Sequence, residues 1–148
     1  VKENISLASI TNYIRFGFIS HRQELRNVKQ LIERLRIRTP KTSTRVGYLS
    51  GGNQQKVVLG KWMSTEYKIY IFDEPTTGID VGSKVEFYNL MSDLVEAGAG
   101  VILISAELPE ILGMADRVLV MRGGTAVAEF SADQVTPDQV LNVALKGA

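Results

Sequence analysis

The sequence predicts a mixed α/β domain in which a helical segment is followed by a parallel βαβ core and a C-terminal hairpin. Two short apolar runs at residues 68–73 and 100–105, with the sequences KIYIFD and GVILIS, predict buried strands. Between them, apolar residues at helical spacing predict a helix over residues 82–97, and Gly98 suits its C-terminal end. A strand, a helix and a strand in this order form a βαβ unit, which requires parallel strands and a right-handed crossover.

The chain divides near Gly47 into two predicted regions. Residues 1–46 predict a helical subdomain, because apolar side chains three and four positions apart over residues 23–36 indicate an amphipathic helix. A second helix is expected over residues 5–19. Residues 47–148 carry the alternating strands and helices.

The C-terminal part of the chain predicts three further elements. Residues 107–113 predict a short helix. Two apolar segments at residues 117–121 and 125–130 flank a pair of glycines, which predicts a hairpin. Thr136 is placed to cap a last helix, and Gln139 stands three residues later, where it could close a capping box.

Composition excludes several classes of protein. Hydrophobic residues make up 45% of the 148 residues and charged residues 22%, which is ordinary for a globular domain. The net charge of +1 gives no support for nucleic-acid binding, which needs a basic excess on one face. The chain has no cysteine, which excludes disulfides, thiol catalysis and Cys-ligated zinc. No apolar run approaches about 20 residues, so no membrane span is predicted. Because the chain starts at Val1 rather than Met, we expect it to be part of a longer protein.

The first stretch with chemical meaning is Ser50-Gly51-Gly52, which precedes a helical run. A serine and two glycines at a helix start offer backbone N–H groups, a hydroxyl and the positive end of the helix dipole, which suit a terminal phosphate. An ordinary serine cap followed by a glycine turn has the same pattern. Taken alone, this stretch favours the ordinary cap.

The second stretch is Asp73-Glu74, which follows the first predicted strand. The carboxyl end of a parallel strand is where α/β sheets bind ligands. Asp73 could hold Mg²⁺ through water, and Glu74 could polarise a water for attack on phosphorus. The simpler interpretation is an acidic turn before Pro75.

Three other residues are predicted to have no chemical role. Trp62 and Met63 lie on the helix after Gly52 and are expected in the core. His21, the only histidine, is expected to face solvent without a function.

Together these stretches form an ordered series that resembles the ABC ATPase family of P-loop NTPases. Residues 49–56 are similar to the signature motif, residues 69–74 to the Walker B strand and residues 78–80 to the D-loop. The segments at residues 53–57, 74–82 and 104–110 resemble the second ATPase domain of monosaccharide importers of the ribose, xylose and galactose class. The resemblance implies that residues 1–46 are the family's helical subdomain and the rest is the C-terminal part of an ATPase core.

In this family two ATPase domains pair head to tail, and each ATP lies between one domain's Walker A loop and the other's signature motif. The resemblance implies that Ser50, Gly51, Gly52 and Gln54 bind ATP held by a partner domain. No G-x-x-x-x-G-K-[ST] sequence, which would be a Walker A loop, occurs in these 148 residues. The chain alone is therefore expected to be inactive.

The resemblance assigns roles to four further positions. Asp73 would hold Mg²⁺ through water and Glu74 would be the catalytic residue. Asp80 would contact the partner domain across the dimer seam. Ala106 stands where many relatives have a histidine in the switch loop, so this site would hydrolyse ATP weakly.

The expected cofactors are ATP and Mg²⁺. The expected partners are the first ATPase domain of the same subunit, transmembrane permease subunits and, indirectly, a sugar-binding protein, but no nucleic acid. The expected location is cytoplasmic, peripheral on the inner face of the cell membrane. Two alternatives remain open: a non-transport ABC protein of DNA repair or chromosome maintenance, and a regulatory module that turns over nothing. Since a single βαβ unit leaves sheet surface uncovered, we also expect exposed apolar surface and self-association.

Overall fold

The computed structural model describes residues 1–65 and 67–145, and the last three residues of the predicted 47–148 region lie outside these ranges. The described chain contains six α-helices, six strands and short 3₁₀ turns. In chain order the helices and strands are α1 (Lys2–Ser6), β1 (Ile14–Arg15), β2 (Phe18–Ile19), α2 (His21–Arg34), α3 (Gly51–Met63), β3 (Ile69–Asp73), α4 (Val81–Glu96), β4 (Gly100–Ile104), α5 (Leu108–Met114), β5 (Arg117–Arg122), β6 (Thr125–Ser131) and α6 (Pro137–Leu145).

The chain forms two compact units that differ from the predicted regions. The first unit consists of Val1–Tyr70 and Thr76–Val101, and the second of Ile71–Pro75 and Ile102–Ala148. The predicted division at residue 46 concerns family subdomains rather than compactness, and it stays a prediction.

Helices α1, α2 and α3 build the core of the first unit. Ile5, Val28, Leu35 and Val57 are almost completely buried there. A Cβ atom at Gly60 would lie 3.0 Å from Leu35 Cδ1 and 3.4 Å from Ile5 Cγ1, so the absence of a side chain lets α3 approach its neighbours. The predicted amphipathic helix is confirmed as α2, which starts and ends two residues earlier than expected.

The helix expected over residues 5–19 is wrong beyond its first turns. Helix α1 ends at Ser6, a 3₁₀ segment follows, and β1 and β2 pair as an antiparallel hairpin. Phe16 and Gly17 form its turn with positive φ angles of 51° and 81°, which a helix excludes. Tyr13 closes the hairpin, because its carbonyl accepts a 2.8 Å hydrogen bond from the Ser20 N–H.

A buried carboxylate connects α1 and α2. Glu24 accepts hydrogen bonds from Lys2 Nζ at 2.9 Å and Ser6 Oγ at 2.8 Å, and it pairs with His21 Nδ1 at 3.2 Å. Burial raises the pKa of the Glu24 carboxyl, but the hydrogen bonds from these three residues outweigh it and hold the pKa below its ordinary value. His21 is exposed as predicted, yet its contact with Glu24 gives it a structural role.

We expect Glu24→Gln to lower the free energy of unfolding by about 1–3 kcal/mol at neutral pH, because the charge-assisted hydrogen bonds are lost. The folded-state pKa is depressed, so this contribution is present above the unfolded-state pKa and is lost as the pH falls through the folded-state value. Urea unfolding from pH 7 downward should show the two proteins converging in acid. Glu33→Gln, at an exposed position of the same helix, is the control, and an equal loss there would contradict the assignment.

Strands β3 and β4 are parallel neighbours, as the βαβ pattern predicts. The Gly100 N–H donates to the Lys68 carbonyl at 2.8 Å, and the Glu74 N–H donates to the Ile104 carbonyl at 2.9 Å, so the pairs advance together along both strands. Helix α4 lies between them in sequence, and Gly98 follows its end with a φ of 90°.

The expected burial of both strands is wrong. Side chains alternate along β3, with Tyr70 buried and Ile71 65% exposed, and along β4 Ile102 is 50% exposed. A parallel strand is buried on both sides only where layers cover both faces of the sheet, and the described residues cover one face. The predicted exposed apolar surface is therefore confirmed.

The second unit contains the predicted hairpin of β5 and β6. The strands are antiparallel with an irregularity at Val120/Met121, and two glycines with positive φ form the turn. Val118, Val120 and, from α6, Val140 form the core. Thr136 and Gln139 make the predicted capping box, since the Thr136 N–H donates to Gln139 Oε1 at 2.8 Å and the Gln139 N–H donates to Thr136 Oγ1 at 3.4 Å.

The core position expected for Trp62 is wrong. Trp62 is 44% exposed, Met63 is half-buried, and both lie at the C-terminal end of α3. The indole instead packs at a tilt against Tyr67, with 6.3 Å between ring centroids, and Lys61 Nζ lies 4.7 Å from its ring. In residues 1–65 and 67–145 we find no helix with the length and apolarity to cross a bilayer.

Candidate functional site

The N-terminus of α3 is open toward solvent. Ser50 is the N-cap residue with extended backbone, but its side chain does not cap the helix. Its hydroxyl oxygen instead accepts a 2.8 Å hydrogen bond from Asn53 Nδ2. Ser50 and Gly51 are exposed, so the first N–H groups of a 13-residue helix can meet an anion.

Gly52 packs directly against the start of α4. A Cβ atom at Gly52 would lie 2.6 Å from Ser83 Oγ and 2.8 Å from Ser83 Cβ, closer than such atoms approach. At Gly51 the same atom would lie 3.6 Å from the Gly78 carbonyl oxygen and 3.8 Å from Ile79 Cγ2, which is ordinary contact. The glycine at position 52 is therefore required by the packing of α3 on the first turn of α4.

Asp80 caps α4. Its carboxylate accepts from the Ser83 N–H at 2.9 Å and from Ser83 Oγ at 2.8 Å. These two hydrogen bonds hold the pKa of the Asp80 carboxyl below its ordinary value. Ser83 thus touches both the cap of α4 and the space beside Gly52. The predicted role of Asp80 at a dimer seam stays a prediction.

Lys56 lies buried on α3 and ties it to two other segments. Its ammonium group pairs with Glu86 of α4 and lies 3.5 Å from the Arg36 carbonyl oxygen. The hydrogen bond from Lys56 outweighs burial and holds the pKa of the Glu86 carboxyl below its ordinary value. Gln54, predicted to bind ATP, donates from Nε2 to the Leu49 carbonyl at 2.8 Å, and its predicted role stays open.

A second group of predicted residues lies at the ends of β3 and β4. Asp73 is exposed at the end of β3. Glu74 has a positive φ of 46°, a conformation that costs a non-glycine residue about 1 kcal/mol or more. The Glu74 N–H donates a hydrogen bond to the Ile104 carbonyl, and Glu74 Oε1 accepts a 2.8 Å hydrogen bond from the Ala106 N–H. The structure thus brings Glu74 and Ala106 together. The contact is made by the backbone N–H of Ala106, the position at which many relatives are expected to have a histidine.

The segment after β4 is itself fixed by α5. Ser105 Oγ donates to the Glu110 carboxylate and accepts from the Glu107 N–H at 3.0 Å. Sequence reasoning missed Glu110, Lys56 and Asn53. For Asn53 a signal existed, since it stands three residues after Ser50, where the second member of a capping box belongs.

Comparison with known proteins shows the family to which this chain is similar. The family model described as ABC transporter matches residues 1–77. The ribose import ATP-binding protein 1 of Rubrobacter xylanophilus is 48% identical over 100% of this chain, and the ribose import ATP-binding protein of Bacillus subtilis is 44% identical over 99%. The xylose import ATP-binding protein of Thermoanaerobacter pseudethanolicus is 45% identical over 99%. The chain spans only 30%, 30% and 29% of these three relatives.

Solved structures share the fold. The ATP-binding cassette MJ1267 of an ABC transporter superposes with a TM-score of 0.78 at 21% identity, over 98% of this chain and 62% of that one. A putative metal-chelate type ABC transporter in an inward-facing conformation gives 0.79 at 17% identity, over 97% of this chain and 57% of that one. The predicted fold class is confirmed, and the chain belongs to the ABC transporter family as part of an ABC ATPase domain.

Proposed function

We propose that this chain is the C-terminal part of an ATP-binding subunit of a bacterial-type sugar importer, and that its α3 N-terminus completes the ATP site of a partner ATPase domain. The observation that carries the proposal is the open helix start, where Ser50 leaves the first N–H groups of α3 uncapped by its side chain. Similarity to ribose and xylose import ATP-binding proteins across nearly the whole chain supports the sugar-import class.

The residues at this helix start fit a terminal phosphate. The Ser50 hydroxyl and the N–H groups of Gly51 and Gly52 are donors, and the helix dipole adds positive potential. Phosphate oxygens are acceptors and carry negative charge, so donors and ligand are complementary. In the head-to-tail arrangement of the family, the phosphate would be presented by the Walker A loop of the partner domain; no G-x-x-x-x-G-K-[ST] sequence occurs in these 148 residues.

Asp73 and Glu74 fit a second, weaker site. Mg²⁺ keeps several of its waters and needs few protein ligands, so the single exposed carboxylate of Asp73 suits it. Among the described residues no three acidic or histidine side chains gather as a metal site. Bound Mg²⁺ would neutralise charge on the phosphate oxygens. Glu74 would orient a water, and the Ala106 N–H holds its carboxylate in place of a histidine contact.

The partners follow from the importer class. We propose the first ATPase domain of the same subunit, transmembrane permease subunits and, through them, a sugar-binding protein. A subunit with these partners works at the cytoplasmic face of the membrane as a peripheral component. The near balance of 17 basic and 16 acidic residues favours these partners over nucleic acid.

A regulatory module that turns over nothing is the second candidate. Ala106 favours it, because an alanine side chain cannot contact a γ-phosphate through a hydrogen bond. The two candidates differ at Ser50, which contributes to hydrolysis only if α3 completes a working ATP site.

The test is Ser50→Arg in the full-length protein assembled with its permease. We expect ATP hydrolysis to fall by roughly 100-fold or more, the size expected when donors to a reacting phosphate are lost and a bulky side chain fills their place. Ser43→Arg, the same change at an exposed loop position, is the control and should hydrolyse ATP normally. Hydrolysis unaffected by Ser50→Arg would overturn the proposal and favour the regulatory module.

A further inference from the structure

We propose that Asn53 is a positioning residue that aims the proton of the Ser50 hydroxyl outward, toward an anionic ligand. This inference rests on the proposed function of the α3 N-terminus. Asn53 lies in the first turn of α3 and connects two groups, the Ser50 hydroxyl on one side and the backbone of Arg38 on the other.

The orientation of the Asn53 amide is determined by its partners. The Arg38 N–H lies 2.7 Å from Asn53 Oδ1, and a backbone N–H can only donate, so the amide oxygen must face it. The amide nitrogen therefore faces Ser50 Oγ at 2.8 Å. An amide NH₂ can only donate, so the Ser50 oxygen is the acceptor in this hydrogen bond.

The Ser50 hydroxyl consequently keeps its own proton for another partner. A hydroxyl has one donor and two acceptor positions, and the bond from Asn53 occupies an acceptor position. Within residues 1–65 and 67–145, Ser50 Oγ donates to no other group. A phosphate oxygen accepts but does not donate, so a hydroxyl restricted to donating outward matches it. Because the Ser50 hydroxyl is already oriented before the ligand binds, the entropy cost of forming the contact is also lower.

The hydrogen bond from the Arg38 N–H connects Asn53 to a segment distant in sequence from α3. Arg38 belongs to the segment after α2, and its neighbour Arg36 accepts from Lys56 one turn further along α3. Two contacts three residues apart on α3 therefore hold the helix start to this segment. The orientation of the Ser50 hydroxyl depends on the α2–α3 connection as well as on the signature segment.

The test is Asn53→Asp in the full-length protein. Aspartate still accepts from the Arg38 N–H, so the fold should keep its urea unfolding midpoint, but it cannot donate to Ser50. Its second oxygen would instead accept the Ser50 proton and withdraw it from the ligand. We expect the KM for ATP to rise by roughly tenfold or more, the scale of a lost hydrogen bond to a charged group. Gln55→Glu, which adds the same charge two residues later, is the control and should change KM much less.

A double-mutant cycle with Ser50→Ala separates positioning from a structural role. In the Ser50→Ala background, Asn53→Asp should raise KM only as much as Gln55→Glu does, because no hydroxyl remains to orient. Independent, multiplicative effects of the two substitutions would overturn the inference. Asn53→Leu, which removes donation without adding charge, covers the case in which the aspartate variant does not fold. Its KM should rise roughly threefold, and only while Ser50 is present.

Failure of the inference and failure of the proposed function give different results. If Ser50→Arg and Ser50→Ala both leave hydrolysis unchanged, the proposed function is wrong. If both lower it while Asn53→Asp behaves like Gln55→Glu, the function stands and the positioning role of Asn53 is wrong.

Discussion

Gly52→Ala is expected to lower the free energy of unfolding by about 1–3 kcal/mol, the usual cost of forcing an added methyl group into a packed site. The new Cβ would meet Ser83 Cβ at 2.8 Å, and that atom is bonded to backbone and cannot rotate away. Gly51→Ala, one residue earlier, is expected to be neutral or to stabilise the chain by up to about 1 kcal/mol, because alanine favours the helix. Of two neighbouring glycines in one motif, only Gly52 should therefore lose stability on substitution by alanine.

Urea unfolding of the chain followed by the fluorescence of Trp62 measures this difference, since Trp62 is the only tryptophan and lies on α3. Ser83→Gly provides the matched test of the mechanism. Alone it should cost about 1 kcal/mol for a glycine within a helix. Combined with Gly52→Ala it should cost less than the sum of the two changes by about 1 kcal/mol, because the steric conflict is removed. If the losses in the free energy of unfolding from the two substitutions simply add, Ser83 is not the group with which the new methyl group collides.

If Gly52 behaves in this way, the signature helix start and the cap of α4 form one packed structure. Asp80 accepts two hydrogen bonds from Ser83, and Ser83 lies against Gly52. The pair of Lys56 and Glu86 adds a second connection between α3 and α4. A displacement of the loop at Asp80 would therefore be transmitted to the helix start that we propose meets ATP.

The sequence predicted the helices and strands of the α/β part well, because their apolar periodicity and end signals agree. Gly98, the glycine pair before Thr125 and the capping box at Thr136 each end or begin an element where expected. The hairpin at residues 14–19 was missed since its strands are two residues long, too short for periodicity to distinguish from a helix. The positive φ angles of Phe16 and Gly17 and the antiparallel pairing of the two strands show the turn.

The residues proposed for the candidate site come from the sequence, and their contacts come from the structure. Ser50 and Glu74 are predicted from their motifs, and their roles in phosphate chemistry stay predictions. The contacts of Asn53 with the Arg38 N–H and of Glu74 with the Ala106 N–H could not be predicted, because each involves a backbone group whose position the sequence pattern does not specify. Position 106 is the clearest example of a contact that the sequence does not predict. The absence of a histidine there predicts a weaker site, but the backbone N–H of Ala106 donates a hydrogen bond to Glu74.

The exposure of β3 and β4 carries a prediction about the chain on its own. In the second unit Ile71, Ile102 and Ile104 are exposed, and so are Leu119 and Met121 on β5. Exposed apolar residues beside open strand edges mark surfaces that associate. The 148-residue chain is therefore expected to sediment as dimers or larger species whose proportion rises with concentration. A monodisperse monomer across the concentration series would contradict this expectation.

A pair of lysine substitutions tests which surface causes the self-association. Ile71→Lys with Ile102→Lys places charge on neighbouring strands and should convert the chain to a monomer, because burying an unpaired ammonium group in an apolar contact costs several kcal/mol or more. The control is Phe16→Lys with Phe18→Lys, which adds the same charge at another exposed apolar feature, the β1–β2 hairpin. Sedimentation of both pairs then separates the candidates. If substitution of the two phenylalanines gives a monomer and substitution of the two isoleucines does not, the hairpin is the associating surface. The uncovered faces of β3 and β4 would then not cause the self-association.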